Sequence, residues 1–303
     1  MNRTPVFSGI QFLPSGQASH KLSSGCIVLE GGAFRGVYTS GVLDALMEAD
    51  INMECTIGVS AGALNGMNYT SGQIGRSARI NLQFRRDPRY VGIHAYRTNR
   101  GIIGFNFVLE EYDKSDPLNL DAFYREDRRL VAVATNCLTG QTEFFEKGRC
   151  QDILKAVQAS ASMPYVSRPV TVDGIPCLDG GCSLNIPYRW ALEQGYKKIV
   201  VVRTRPASFR KKESDRASRL ARRFYKSSPA LAQAIAGSDA RYNRECDELE
   251  LLREQGRIYV ISPSSSTSVS RLEKDMEKLG EFYYLGYSDG QNHLDSLREY
   301  LES

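Results

Sequence analysis

Short apolar runs closed by glycine or followed by a helical repeat recur along the first two hundred residues. CIVLE (26–30) is such a run, ended by Gly31-Gly32, and its composition suits a strand buried on both faces of a parallel sheet. Apolar residues then fall at 42, 43, 46 and 47, which predicts a helix over 37–50. A second strand is expected near 54–57, with a helix starting at Ala61. Further on, 128–136 reads as a core strand, 142–146 as a strand paired with it, and 150–162 as a helix ended near Pro164. Residues 170–178 read as a hairpin because Asp173-Gly174, between two apolar runs, is a favoured two-residue turn. A helix at 188–195 and a strand at 197–204 complete the series. Strands alternating with helices predict an α/β fold, a three-layer α/β/α arrangement around a mostly parallel central sheet.

The pattern changes after Thr204, where the chain becomes charge-rich and mainly helical, with one more strand at 257–262 and a loop at 263–270. Residues 1–24, rich in Ser, Gly and Asn, show no period. Three parts are therefore expected: a loose lead-in at 1–24, a catalytic domain at 25–204 and a helical C-terminal extension at 205–303 packed on it.

At 303 residues, 42% hydrophobic and 24% charged, the chain has the composition of a folded protein able to bury a full core. The N-terminus lacks the apolar core of a signal peptide, and no apolar run is long enough for a membrane-spanning helix. Seven cysteines without a C-x-x-C pair read as buried reduced thiols, which points to a cytoplasmic location. The net charge of +4 conceals two concentrations of cations. Seven arginines between Arg76 and Arg100 face Asp87 alone, and ten Lys/Arg between Arg203 and Lys226 face only Glu213 and Asp215. Two basic surfaces on an otherwise acidic chain suggest an anionic partner. Within SDRASRLARRFYKS (214–227), Ala217, Leu220, Ala221 and Phe224 form a short apolar stripe among Arg219, Arg222 and Arg223. This is either a helix packed on the core with a solvated basic face or an element that meets an anionic membrane; nucleic acid is the least supported partner.

Two segments carry candidate chemistry. GGAFRG (31–36), between a strand and a helix, is open to three readings: a phosphate cradle at a helix N-terminus, an oxyanion hole for acyl transfer, or a tight loop. Gly58-Val59-Ser60-Ala61-Gly62 is a G-x-S-x-G pattern at a strand-to-helix turn, where a serine nucleophile is commonly held; a purely structural turn is the alternative. A serine needs a base. Asp179, after an apolar strand and before Gly180-Gly181, could serve if burial beside Ser60 raised its pKa. A relay of Ser60, Asp179 and His293 is the competing assignment. Against it, only one strand precedes the serine's own, and His293 reads as the first turn of an exposed C-terminal helix. His94 lies in the arginine-rich stretch and His20 in the lead-in.

Four ordered blocks, LEGGAFRGVYTSGVLDAL (29–46), IGVSAGALNG (57–66), ASASMPYVSRPV (159–170) and LDGGCSLNIP (178–187), make the sequence resemble the patatin-like phospholipases, particularly bacterial ones with a helical C-terminal extension. VVVRTRPASFRKK and RYNRECDELELL resemble that subgroup as well. The resemblance implies a patatin-like fold, a Ser60–Asp179 dyad without histidine, an oxyanion hole of backbone N–H groups at Gly31, Gly32 and Ala33, a phospholipid or another acyl-lipid ester as substrate, as for a phospholipase A or lysophospholipase, and no cofactor. Arg35 is expected to anchor the glycine loop or a lipid phosphate. The family's third glycine is replaced by Ala33, which keeps its N–H but narrows the range of φ. Alternatives are a soluble-ester hydrolase or an acyltransferase with the same acyl-enzyme, or a non-catalytic module that binds nucleotides or anionic surfaces.

Overall fold

The apolar runs of the sequence become the centre of one eight-stranded sheet. The computed structural model describes residues 5–265 and 269–303, so the first four residues of the expected lead-in and three of the 263–270 loop lie outside the described residues. The strands are β1 (Gly16–Gln17), β2 (Ser23–Leu29), β3 (Met53–Val59), β4 (Gln73–Ile74), β5 (Arg129–Asn136), β6 (Thr142–Glu146), β7 (Val170–Val172), β8 (Ile175–Asp179), β9 (Ile199–Val202) and β10 (Tyr259–Ile261). The main sheet runs β10-β9-β2-β3-β5-β8-β7, with β6 also paired to β5. From β10 to β5 all neighbours are parallel; β6, β8 and β7 are antiparallel to theirs. The β7–β8 turn uses positive φ at both Asp173 and Gly174, as the two-residue hairpin requires.

The helices are α1 (Gly36–Glu48), α2 (Ala61–Thr70), α3 (Arg76–Phe84), α4 (Ile93–Asn99), α5 (Leu120–Phe123), α6 (Ile153–Ser160), α7 (Tyr188–Glu193), α8 (Asp215–Phe224), α9 (Pro229–Ala236), α10 (Ser238–Glu254), α11 (Met276–Asn292) and α12 (Leu294–Glu302). They cover both faces of the sheet. The alternation of side chains along β2 shows it: Ile27 and Leu29 join a core with α1 and α11, while Cys26 and Val28 join one with α7 and α10. All four are fully buried, which is why this strand reads as a continuous apolar run. The fold is a three-layer α/β/α arrangement with a mostly parallel sheet.

The region after Thr204 is tied closely to the rest. β10 extends the sheet beyond β9, and α11 lies along α1. Gly286 permits that approach, since a Cβ there would sit 2.1 Å from the Tyr38 carbonyl oxygen. Two phenol–carboxylate bonds cross the contact: Tyr283 donates to Asp44 at 2.8 Å and Tyr38 to Asp289 at 2.9 Å. Burial of Phe282 and Tyr283 adds about 1.5–3 kcal/mol each. The N-terminal stretch, read from its lack of period as a loose lead-in, is packed from Phe7 onward. Phe7 is buried beside Gly280 and donates its N–H to Leu82, and β1 pairs with β4.

His293 does not stand in an exposed turn. It sits half-buried between α11 and α12, with Nδ1 2.7 Å from the Tyr259 hydroxyl of the edge strand β10. Its environment is a helix junction, which the local sequence did not reveal.

Candidate active site

Ser60 lies where β3 passes straight into α2, with φ 57° and ψ −121°, a conformation costly for a residue with a side chain. The crossing is tight: a Cβ on Gly62 would come within 2.3 Å of the Leu29 carbonyl oxygen. Sheet register brings the acid to this point. Val59 pairs with Val133 of β5 and Asp179 with Ala134, so Ser60, next to Val59, meets an acid 119 residues away in sequence. Gly180 lets the chain turn against β5, since its Cβ would meet the Val133 carbonyl oxygen at 2.3 Å.

The Ser60 hydroxyl donates to Asp179 Oδ2 at 2.7 Å, and Oδ1 accepts the Gly181 N–H at 2.8 Å. The Asp179 N–H donates to the Ser162 carbonyl at 2.9 Å. Ser60 is itself fixed through its N–H, which donates to Ser160 Oγ at 2.8 Å, and that hydroxyl donates to Val133 O at 2.5 Å. Burial pushes the Asp179 pKa above the usual carboxylate value; the hydrogen bonds from Ser60 and Gly181 oppose this, as do the charges of Arg271 and Lys211. The carboxylate is thereby a stronger base than a solvated one.

The loop between β2 and α1 lies alongside. A Cβ on Gly31 would sit 3.3 Å from the Ser60 Cβ, and one on Gly32 2.7 Å from Thr204 Oγ1. Ala33 adopts φ 50°, the left-handed conformation that a glycine would take without cost. The N–H groups of Gly31, Gly32 and Ala33 have no acceptor among the described residues. Arg35 is 8% exposed, and its Nε and Nη1 find no partner among the described residues.

Ser60 opens onto two different spaces. On one side is a narrow apolar slot of about 50 Å³ bounded by Phe34, Val37, Leu64, Tyr90, Ile103 and Met163. A separate small cavity shares Leu64, Tyr90 and Ile103 with it and reaches Met67, Ile80 and Val108. On the other side is a polar chamber of about 210 Å³ that also borders Asp179 and Gly32.

The fold thus brings Ser60, Asp179 and the 31–33 loop together and keeps all three histidines away from them. His20 meets Arg125, His94 is exposed on α4, and His293 meets Tyr259. Among the described residues no three His, Cys, Asp or Glu side chains gather as a metal-holding group. No described helix is long and apolar enough to cross a membrane.

The expected basic surface at 76–100 is divided: Arg86, Arg89, Arg97 and Arg100 are exposed, while Arg76, Arg79 and Arg85 turn inward. Arg76 is fully buried and bonds Asp113 at 3.0 Å, Arg79 bonds Asp116 at 3.0 Å, and Arg85 donates to the carbonyls of Leu272 and Glu273. Arg219, Arg222 and Arg223 are exposed on α8, where Ala221 alone is buried. Ser160 and Met163, inside the 159–170 block, were left without a role by the sequence, and the chamber residues after Thr204 carry no local motif.

The model of the patatin-like phospholipases matches residues 27–192, and that of a domain of unknown function (DUF6363) matches residues 228–302. The uncharacterized protein YjjU of Escherichia coli (strain K12) is 30% identical over 186 residues, 60% of this chain and 52% of that protein. The probable lipid hydrolase 463L of Invertebrate iridescent virus 6 is 27% identical over 57% of this chain and 64% of its own length. The lysophospholipase nte1 of Aspergillus terreus is 26% identical over 54% of this chain, which spans only 11% of that protein. The chain thus spans about half the length of the YjjU protein and far less of the lysophospholipase. Among solved structures, VipD from Legionella pneumophila shares the fold with a TM-score of 0.51 at 15% identity, over 98% of this chain and 71% of that one. With more than half of its residues matched by the family model and the fold to suit, the chain belongs to the patatin-like phospholipase family.

Proposed function

We propose that the chain is a serine lipid acyl hydrolase working through a Ser60–Asp179 dyad. The observation that carries this reading is the 2.7 Å bond from Ser60 Oγ to a buried, pKa-raised carboxylate at the mouth of an apolar slot. Ser60 attacks the ester carbonyl as Asp179 takes its proton. The free N–H groups of the 31–33 loop stabilise the oxyanion, a contribution worth about 10²–10³ in rate per donor. Collapse expels the alcohol, which receives the proton from Asp179. A water that loses its proton to Asp179 then attacks the acyl-enzyme, and the fatty acid leaves as the proton returns to Ser60. The acyl chain occupies the slot between Leu64, Tyr90 and Ile103.

The same reading has α8 meet an anionic lipid surface from the cytoplasmic side. Leu220 and Phe224 are 53% and 56% exposed beside Arg219, Arg222 and Arg223. Ala217 and Ser218 of the helix line a third hollow, which shares Asp179, Lys211 and Arg271 with the polar chamber, and the Phe224 ring packs on Tyr165 at 5.2 Å.

A fluorophosphonate probe should label the wild type and spare Ser60→Ala. Ser60→Ala and Asp179→Asn should each remove most turnover of a short p-nitrophenyl ester, with the double variant little worse, because the pair acts as a unit. Since burial raises the Asp179 pKa and the base must be ionised, activity should fall on the acid side with a midpoint above the ordinary carboxylate value. A folded His293→Ala variant as inactive as Ser60→Ala would replace the dyad with a relay.

A further inference from the structure

The base of the dyad is held by the loop that follows it, and that loop is held by α10. Gly181 turns its N–H back to Asp179 Oδ1 at 2.8 Å. Residues 181–186 lie between β8 and α7, so their backbone groups need partners other than a strand. Four of these groups meet side chains of α10. The Ser238 hydroxyl donates to Gly181 O at 2.9 Å and Arg241 Nη2 to Cys182 O at 2.6 Å. Glu245 Oε2 accepts the Asn185 and Ile186 N–H groups at 3.2 and 3.1 Å. Positions 238, 241 and 245 are spaced by three and four and therefore share one face of the helix. Glu248, three residues further on, accepts from the Tyr188 hydroxyl at 3.0 Å and pairs with Arg189, at the start of α7.

Glu245 shows what this arrangement costs. It is 6% exposed, burial pushes its pKa up to about 7, and Oε1 has no partner among the described residues. A carboxylate so placed is stabilised only by what it meets, here the Ile186 and Asn185 N–H groups and the charges of Arg241 and Lys211. An apolar helix face would close the same contact without that penalty, but it could not fix four backbone groups. The two partners also come from different parts of the chain. The loop lies inside the stretch matched by the phospholipase family, 27–192, and α10 inside the match to DUF6363, 228–302. RYNRECDELELL (241–252), set apart in the sequence by resemblance alone, is the part of α10 that carries Arg241, Glu245 and Glu248.

We propose that α10 positions the catalytic base: Ser238, Arg241 and Glu245 fix the 181–186 loop and, through the Gly181 N–H, hold Asp179 in line with Ser60. The effect on rate rests on the hydrolase reading, whereas the hold on the loop rests on the hydrogen bonds alone. Proton transfer across the 2.7 Å Ser60–Asp179 bond needs both groups in place, and a displacement of about 1 Å can cost about 10² in rate. The three side chains are positioning residues: they act through the loop and bond to neither Ser60 nor Asp179.

Two measurements test this. The first is steady-state hydrolysis of a short p-nitrophenyl ester across pH. Glu245→Met removes the acceptor and Arg241→Met the donor, and neither residue lines the apolar slot. Each should lower kcat by about tenfold or more with KM little changed, and fluorophosphonate labelling of Ser60 should slow in parallel. The Gly181 bond lowers the Asp179 pKa against burial, so its loss should move the acid limb of the pH profile upward. Glu245→Gln, which keeps an oxygen for both N–H groups, should recover most of the rate. Leu249→Ala, buried on the sheet-facing side of the same helix, should lower the unfolding midpoint but leave kcat and the acid limb of the folded enzyme unchanged. Ser238→Ala, the mildest change, should show the same effects as Glu245→Met at smaller size. The second measurement is amide hydrogen exchange in the Ser60→Ala background, where Asn185 and Ile186 should exchange faster with Glu245→Met than with Glu245→Gln. Unchanged kcat and acid limb in folded Glu245→Met and Ser238→Ala overturn the proposal, even if the amides exchange faster, because α10 then packs the loop without serving the base. A loss in Leu249→Ala as large as in Glu245→Met, with no recovery in Glu245→Gln, overturns it too, as general destabilisation. If the wild type turns over no ester and takes no label, the hydrolase reading falls while faster exchange in Glu245→Met keeps the hold on the loop. Equal exchange in the Met and Gln variants overturns that hold as well.

Discussion

Arg76 to Arg100 and Arg203 to Lys226 carry comparable excesses of positive charge in the sequence, and the fold divides each between interior and surface in a different way. In the first stretch Arg76 is sealed in the interior with Asp113, Arg79 pairs with Asp116, and Arg89 pairs with Asp87 and Glu111. Apart from Asp87, its acids arrive from 111–116, where the chain folds back over α3. In the second, Arg203 is buried among Tyr242 and Cys246 and Arg210 pairs with Asp247, but Arg205 faces the chamber and Arg219, Arg222 and Arg223 face solvent. Cation density in the sequence therefore does not separate structural from functional charge. What each cation faces once the chain is folded does.

The largest effect should come from the first stretch. Arg76→Ala deletes a fully buried guanidinium that bonds Asp113, Asn68 and the Asp116 carbonyl, and should cost about 3–5 kcal/mol in denaturant unfolding. Arg222→Ala, on the exposed face of α8, should stay within about 0.5 kcal/mol. Equal losses in the two variants would erase the contrast.

Next in size is the surface role of the second stretch. Reversal of Arg219, Arg222 and Arg223 to Glu should weaken binding to anionic vesicles by at least about 3 kcal/mol, at about 1 kcal/mol per cation near the surface. That is more than a hundredfold. Wild-type binding should fall steeply with salt, because Leu220 and Phe224 are the only large side chains in the stripe. Vesicle sedimentation that responds to neither salt nor the reversals would leave α8 a solvated helix face.

Local pattern carried much of the fold. The strand-turn-helix at Ser60 was legible because the apolar run, the small residues and the helix are contiguous, and the hairpin at Asp173-Gly174 because its turn chemistry is local. That Ser60 and Asp179 meet was legible only through the ordered blocks and their family resemblance. No propensity says that Val59 and Asp179 pair beside neighbouring residues of β5. The packing of Phe7 on α11, the pairing of Arg76 with Asp113 and the arrival of Arg271 at the 31–33 loop share one reason for being hidden. Each joins segments far apart in sequence, and pairing of that kind leaves no periodicity to read.

The smallest predicted effect lies where the first basic stretch reaches the loop beside Ser60. Arg85, in the first, stacks on Phe34 at 4.1 Å and donates to Leu272 O and Glu273 O at 2.7 and 2.5 Å. Those carbonyls adjoin Arg271, whose own carbonyl accepts the Phe34 N–H. One guanidinium thus holds both Phe34, at the end of the 31–33 loop, and the segment that brings Arg271 to the chamber. Arg85→Lys keeps the charge but loses the planar fork and the stacking geometry. If charge were what mattered there, nothing would change. If the fork positions the segment, kcat/KM for a short ester should fall by about tenfold, roughly 1.4 kcal/mol, with the loss in kcat. A second readout separates positioning from general destabilisation. Arg271 is among the charges that hold the Asp179 pKa down against burial, so its displacement lets that pKa rise further and moves the acid limb of the pH profile upward. A folded Arg85→Lys variant with unchanged kcat and an unmoved acid limb would show that the first stretch supports the fold without reaching the site.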